Sequence, residues 1–340
     1  MQKNCHISDA RHAREKTLCT YLLEMRDFFC WECDIPPFQL VPKDELGDWL
    51  TRREALWDEL EDMPFAALPV SGKHFDPFDV DAINMALAPE GLVYGAGYGR
   101  FHKPHFFLGR LLRTEQRGGL TIVVSEREYA RDITAFPAAM QNGVIYLRHE
   151  SLRRWLREKV ELWGLKKADG ALKSALECYG LHAGEEAGLD LMLEHESEAV
   201  ILHEVGEVAA DRILGPGWQE MMAGLAMKRQ EILARAVRDN LADCLSTLPA
   251  LLEQDSTCSL HFYFANLDGM RRSLFPRLTA AYRHWREQGD LSPLRVAVAG
   301  GRDHWVETGM KLLDAYRGGH HNSGTGGNGL MERLEAESAF

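Results

Sequence analysis

The segment from Leu189 to Asp211 constrains this chain most. It reads as a helix with apolar residues on every side, yet it carries ionisable groups within it. A helix turns about 100° per residue, so Glu196 and His203 differ by about 20° and His203 and Glu207 by about 40°. The three therefore share a stripe with Leu189, Leu193 and Val200. Ile201, Leu202, Val205, Val208 and Ala209 cover the opposite side. A helix that is apolar all round belongs in the core of a larger body, and ionisable groups buried there need partners. A metal ion, an arginine from another helix or a substrate group would serve. Gly206 costs about 1 kcal/mol relative to alanine in a helix interior, which suggests a neighbour that approaches the backbone there.

His203-Glu204-Val205-Gly206-Glu207 resembles the zincin motif, in which two histidines four apart bind zinc and the intervening glutamate is the base. Glu207 stands where that motif has its second histidine, and glutamate is itself a zinc ligand. Leu202 to Gly206 is also similar to the apolar-His-Asp-apolar-Gly signature of HD-domain phosphohydrolases, with Glu204 in place of the aspartate. That resemblance implies an upstream histidine, for which His182 is the candidate, and a downstream aspartate, Asp239 or Asp243. A ferritin-like di-iron bundle requires Glu-x-x-His on two helices. No glutamate lies three residues before any histidine, which excludes that pattern.

A second polar segment, Arg235 to Cys244, also reads as helix. Asp239 and Asp243 are four apart on one face, and Arg235 lies four residues before Asp239. Two readings follow. In the first, His203, Glu207, Asp239 and Asp243 hold a divalent metal (zinc, iron or manganese) and Glu204 or Glu196 acts as the base. Such a protein is a metal-dependent enzyme acting on a small molecule, with hydrolysis as its default reaction. In the second, Arg235 or Arg238 neutralises Glu196 and Glu207, no cofactor is needed, and the protein is a helical binding or scaffold protein. Either arginine within hydrogen-bond reach of Glu207 favours the second reading.

Other segments carry weaker signals. His261 lies in the apolar run Ser259 to Leu267 and reads as a satisfied core histidine. Cys30-Trp31-Glu32-Cys33 is a lone Cys-x-x-Cys at a helix end, without the second pair of a zinc site. Cys5 and His6 precede a helix over 8–33 capped by Ser8, and a frayed terminus is the plain expectation. Tyr94 to His105 is Gly-rich and basic but is neither a P-loop nor a dinucleotide fingerprint. It reads as a hairpin or loop folded over the helical core, with Arg100, His102, Lys103 and His105 as candidates to meet an anion.

With 340 residues and a net charge of −12, the chain suits a soluble globular protein and not a partner of nucleic acid or of anionic membranes. It has no apolar run of membrane-spanning length and no apolar N-terminal core of a signal peptide. Seven cysteines in a chain this long are not a disulfide framework, so a cytoplasmic location is expected. Helical periodicity dominates outside residues 90–148. The expected fold is mainly α, with a multi-helix bundle-like core and a small β-hairpin or β insertion near 90–148. The expected division is 1–148, 149–317 and a flexible tail at 318–340. Taken together, CHISDAR, YGAGYGRF, KPHFFLG, ILHEVGE and TLPALL resemble an uncharacterised bacterial family of conserved hypothetical proteins. The resemblance spans nearly the whole chain and implies no particular activity.

Overall fold

The computed structural model describes residues 1–35, 39, 41–99, 102–166, 169–181, 188–225, 227–321 and 339–340. The chain is mainly helical and divides into two compact units, Met1–Leu162 and Trp163–Phe340. Among the described residues no helix is long and apolar enough to cross a membrane.

The first unit begins with α1 (Gln2–His12), which was not expected as a separate helix. The break before α2 (Leu18–Glu32) comes from Thr17, whose hydroxyl accepts a hydrogen bond from the Thr20 amide at 3.3 Å and caps the second helix. Ser8 is therefore not a cap. It is buried in α1 and its hydroxyl donates to the Pro104 carbonyl. The terminus is not frayed either, since Asn4 to Ala10 are all buried. Next come α3 (Lys43–Leu60), a small hairpin of β1 (Leu68–Val70) and β2 (Lys73–Phe75), and α4 (Val80–Leu87). Asp79 caps α4, its side chain accepting from the Ala82 amide.

The β element is larger than a hairpin. It is a five-stranded sheet of β3 (Leu92–Tyr98), β4 (Pro104–Arg117), β5 (Leu120–Arg131), β6 (Ala138–Gln141) and β7 (Val144–Arg148), in the order β3-β4-β5-β7-β6. The β5–β7 pair is parallel and the other pairs are antiparallel. Arg117 pairs with Leu120 around Gly118 and Gly119, both at positive φ. The Gly-rich segment is the edge strand β3 rather than a covering loop. Side chains alternate along a strand, so Gly95 and Gly97 bare one face of it. A Cβ on Gly95 would lie 2.2 Å from the Phe107 ring, and one on Gly97 would lie 3.1 Å from the Gln141 side chain. The unit closes with α5 (His149–Lys166), inside which the boundary between the units falls.

The second unit carries α6 (Ala171–Cys178), α7 (Leu189–Leu214), α8 (Pro216–Gly224), α9 (Lys228–Ala242), α10 (Leu248–Glu253), α11 (Thr257–Asn266), α12 (Gly269–Leu274), α13 (Pro276–Gln288) and α14 (Ser292–His321). Leu241, Leu248, Leu278, Trp305 and Leu312 lie in one fully buried apolar core. A single π-helical turn, Asp243–Thr247, joins α9 to α10. Cys178 and Cys258 are joined by a disulfide with Cα atoms 5.3 Å apart, a link the cysteine count did not reveal. The tail expected from residue 318 is revised at both ends. Helix α14 continues to His321, and Phe340 exchanges backbone hydrogen bonds with Leu274 and Arg277 at 2.8 and 2.9 Å. Residues 322–338 lie outside the described residues.

Candidate functional site

Helix α7 buries Glu196 and Glu204 and half-buries His203 and Glu207. Gly206 explains how its polar stripe meets α9. A Cβ at Gly206 would lie 2.3 Å from the Ala242 carbonyl oxygen, so only glycine lets the two backbones come this close. The next residue after Ala242 is Asp243, at the start of the π turn. Asp243 Oδ1 accepts from His203 Nδ1 at 2.8 Å. π-turns inserted in helices recur at functional sites, and here the turn begins where a buried carboxylate meets the imidazole.

The remaining partners are all specific. Asp243 Oδ2 accepts from the Tyr263 hydroxyl at 2.8 Å and from Arg271 Nη2. His203 Nε2 lies 3.5 Å from Glu207 Oε1. Arg238 Nη2 lies 2.6 Å from the same Glu207 oxygen and 3.4 Å from Asp239 Oδ1. Arg235 pairs instead with Glu231 at 2.8 Å. Of the two arginines expected to compete for Glu207, Arg238 reaches it, and that favours the ion-pair reading on its own criterion.

The electrostatics follow from burial set against these contacts. Burial works against charge on His203, but Asp243 and Glu207 outweigh it and raise its affinity for a proton well above the ordinary value. Burial alone would lift the Asp243 and Glu207 carboxyls; Arg271 and His203 hold the first down, and Arg238 and His203 the second. Burial and the Glu207 charge push Glu204 up to about 7 and raise Asp239 as well. Among the described residues no side chain donates a hydrogen bond to Glu204. Asp211 also lies in this field, raised by burial, and its Oδ1 has no partner among the described residues. Glu204, Glu207, Asp211, Asp239 and Asp243 thus face Arg238, Arg271 and His203, an excess of carboxylates that favours a bound cation or retained protons.

His203, Glu207 and Asp239 can each offer one ligand atom such that all lie within 4.8 Å of one another. Asp243 is not in that set, and its two oxygens are engaged by His203, Tyr263 and Arg271. Glu196 belongs to a different cluster. It is buried and accepts from the Tyr179 hydroxyl at 2.6 Å, which lies 3.0 Å from Ser259 Oγ. Seven residues of helix place Glu196 about 10 Å along the axis from His203. Burial pushes its carboxyl up to about 7.

Tyr179, Ser259, Tyr263 and Arg271 were not anticipated. Nothing in their local sequence marks them, because α6, α11 and α12 bring them in from separate stretches of chain. The other expectations divide. His261 is a satisfied histidine, with Nδ1 3.0 Å from the Tyr282 hydroxyl and its ring stacked on Trp285 at 4.7 Å. Cys30 and Cys33 are free, and Cys30 is buried. Lys103 is not available to an anion, since it is buried with Nζ 2.7 Å from Asp9. His182 and Arg100 lie outside the described residues.

Comparison with known families now adds the affiliation. Residues 1–148 match the N-terminal domain of a family of unknown function (DUF6866), and residues 153–333 match its C-terminal domain. The chain belongs to the DUF6866 family. No curated protein and no solved structure matches it. The α7–α9 cluster lies wholly within the C-terminal family domain, and the sheet within the N-terminal one. The family description names no activity, so the chemistry of the site has to be argued from its residues.

Proposed function

We propose that the second unit binds a divalent metal through His203 Nε2, Glu207 and Asp239, and that the protein is a metal-dependent hydrolase of small molecules. The observation that carries this reading is the convergence of those three ligand atoms within 4.8 Å. Asp243 strengthens it. A metal-binding histidine almost always gives its other ring N–H to a carboxylate, a backbone carbonyl or a water that fixes the ring, and Asp243 holds Nδ1 at 2.8 Å. The expected fourth ligand therefore serves as the orienting group behind the imidazole. One nitrogen and two carboxylates suit zinc, iron or manganese. A bound ion of this kind lowers the pKa of a coordinated water and supplies the nucleophile. Glu204, pushed up to about 7, is suited to exchange a proton near neutral pH and is the candidate base. Glu196 is too far along the helix to share that role.

A second reading rests on Arg238, which occupies Glu207 at 2.6 Å. In it the same residues form a buried ion-pair network that orients α7 on α9, within a helical binding or scaffold protein. The two readings separate on Arg238→Gln. If a metal binds, Arg238 competes with it, and the variant holds zinc or manganese at least as tightly as the wild type. If the network is only structural, the variant leaves the half-buried Glu207 and Asp239 without their cation and is less stable than the wild type, with no gain in metal binding. Elemental analysis of untagged protein prepared without chelators is the primary experiment. A stoichiometric transition metal that disappears in His203→Ala and Glu207→Gln supports the metal centre. Metal-free folded protein that takes up neither zinc nor manganese sinks it.

The cytoplasmic location expected from the sequence is retained as part of this reading, although structural disulfides persist mainly in oxidising compartments. Thiol titration of protein taken directly from cytoplasm tests it. Seven reactive thiols after denaturation mean a reduced pool, whereas five mean that Cys178 and Cys258 are joined.

A further inference from the structure

The Gly-rich and histidine-containing segment of the first unit plays no part in the α7 centre, yet it builds a cavity of its own. A cavity of about 150 Å³ opens beside β3 against the sheet. Phe107, Phe136 and Tyr146 supply its aromatic wall, and His105, Gln141 and Arg148 supply its polar groups. A cavity of this volume is known to take a benzene ring, so the space fits one six-membered ring.

The glycines of β3 are the reason the wall can form. The Phe107 ring packs where a Gly95 side chain would be, Gln141 covers Gly97, and a Cβ on Gly99 would sit 2.6 Å from His105 Nε2. The period-two spacing of Gly95, Gly97 and Gly99 thus clears one face of the edge strand for three side chains that line the cavity. It is not a phosphate-binding arrangement.

The polar end is held in place from behind. His105 Nδ1 lies 3.0 Å from Asp132 Oδ2, and Asp132 is fully buried. Asp132 is fixed in turn by the Thr134 amide at 2.9 Å and by Lys103 at 3.7 Å. Among the described residues His105 Nε2 has no hydrogen-bond partner, which leaves it for a ligand. Arg148 is aligned by Glu128, with Nε and Nη2 at 3.0 and 2.5 Å from its two oxygens, and its guanidinium lies 4.7 Å above the Phe107 ring. Nη1 takes part in neither of those bonds and has no partner among the described residues. A fixed aromatic wall beside the free Nη1 donor of Arg148 and the outer nitrogen of His105, which donates only as imidazolium because Asp132 takes the Nδ1 proton, is how small-molecule sites are built.

We propose that this cavity binds a monocyclic aromatic or heteroaromatic acid, its ring against Phe107, Phe136 and Tyr146 and its carboxylate directed to Arg148 and to the His105 imidazolium, which donates from Nε2 while Asp132 accepts from Nδ1. The proposal concerns the first unit alone and is independent of any metal on α7. The test uses the full chain and titrates benzoate and nicotinate by calorimetry and saturation-transfer NMR, with acetate and toluene as controls. One of the two ring acids binds, and acetate and toluene each bind at least about tenfold more weakly, because each lacks one half of the recognition. Ala139→Phe fills the mouth from an exposed position on β6 that pairs across the sheet with Tyr146, so folding is preserved while ring-acid binding is lost. His105→Gln, which keeps a donor to Asp132, weakens binding by about tenfold, the loss of one charge-assisted hydrogen bond. The proposal is overturned if neither ring acid binds at millimolar concentration, if acetate or toluene binds as tightly, or if the Ala139→Phe protein binds like the wild type.

Discussion

Replacing Glu196 with glutamine tests the structure where burial and charge oppose each other most simply. Glu196 is buried on α7, and its polar partners are the hydroxyls of Tyr179 and Ser259, with no cation in contact among the described residues. Desolvation raises its carboxyl from the ordinary 4.5 to about 7. The folded protein therefore holds a proton there that the unfolded chain releases at lower pH. A raised carboxyl contributes nothing adverse below about 4.5, and stability falls as the pH rises from about 4.5 to about 7. Each pKa unit corresponds to about 1.4 kcal/mol, so the loss approaches about 3 kcal/mol above pH 7. Glutamine has the shape of the protonated acid. Its carbonyl still accepts from Tyr179 and its amide still donates towards Ser259, but it never ionises. Glu196→Gln should change stability by less than about 1 kcal/mol at pH 5 and raise it by about 3 kcal/mol at pH 8. Urea titrations at pH 5, 6, 7 and 8, read by hydrogen exchange of the α7 amides, report the second unit without interference from the first. The difference between variant and wild type removes the contributions of Glu204 and the other titrating groups. A difference that stays constant from pH 5 to pH 8, or a variant less stable than wild type at pH 8, would refute the reasoning.

Two further outcomes follow from close packing and from covalent linkage. Gly206→Ala places a methyl group 2.3 Å from the Ala242 carbonyl and must push α7 off α9; overpacking of this kind costs about 1–3 kcal/mol, more than the helix propensity gained, and thermal melting will show a net loss together with a weakened His203–Asp243 contact by imidazole NMR. Cys178→Ser with Cys258→Ser opens a loop closed across 80 residues and should lower stability by about 2–4 kcal/mol, so equal urea midpoints for the variant and the oxidised wild type would mean that the link does not constrain the chain.

The α7 segment was legible because its demand is local. Apolar residues all round a helix require burial, and Glu196, His203 and Glu207 on one stripe require partners, whatever the fold. Gly206 was legible for the same reason: a costly residue in a helix interior has to be repaid by close approach, and Ala242 is what approaches. The Gly118-Gly119 turn between two apolar runs is a signal of the same local kind. The five-stranded sheet was harder to see, since β3 is rich in glycine and β6 has only four residues, so neither carries the β-branched pattern that marks a strand.

Partner choice is what the sequence left open and the tertiary structure decided. Periodicity places His203 and Asp243 each on its own helix but cannot say which faces meet. The approach of α7 to α9 at Gly206 gives His203 to Asp243 and Arg238 to Glu207. It also leaves Glu196 to the hydroxyls of Tyr179 and Ser259, which come from stretches of chain 17 residues before it and 63 after it. The same applies to Cys178 and Cys258, and to His105, which shows its role only when Asp132 comes up behind it. Helix and turn signals arise within a few residues of chain, so one sequence can state them. Neutralisation of a buried charge depends on distance through space, and only the folded packing sets that distance.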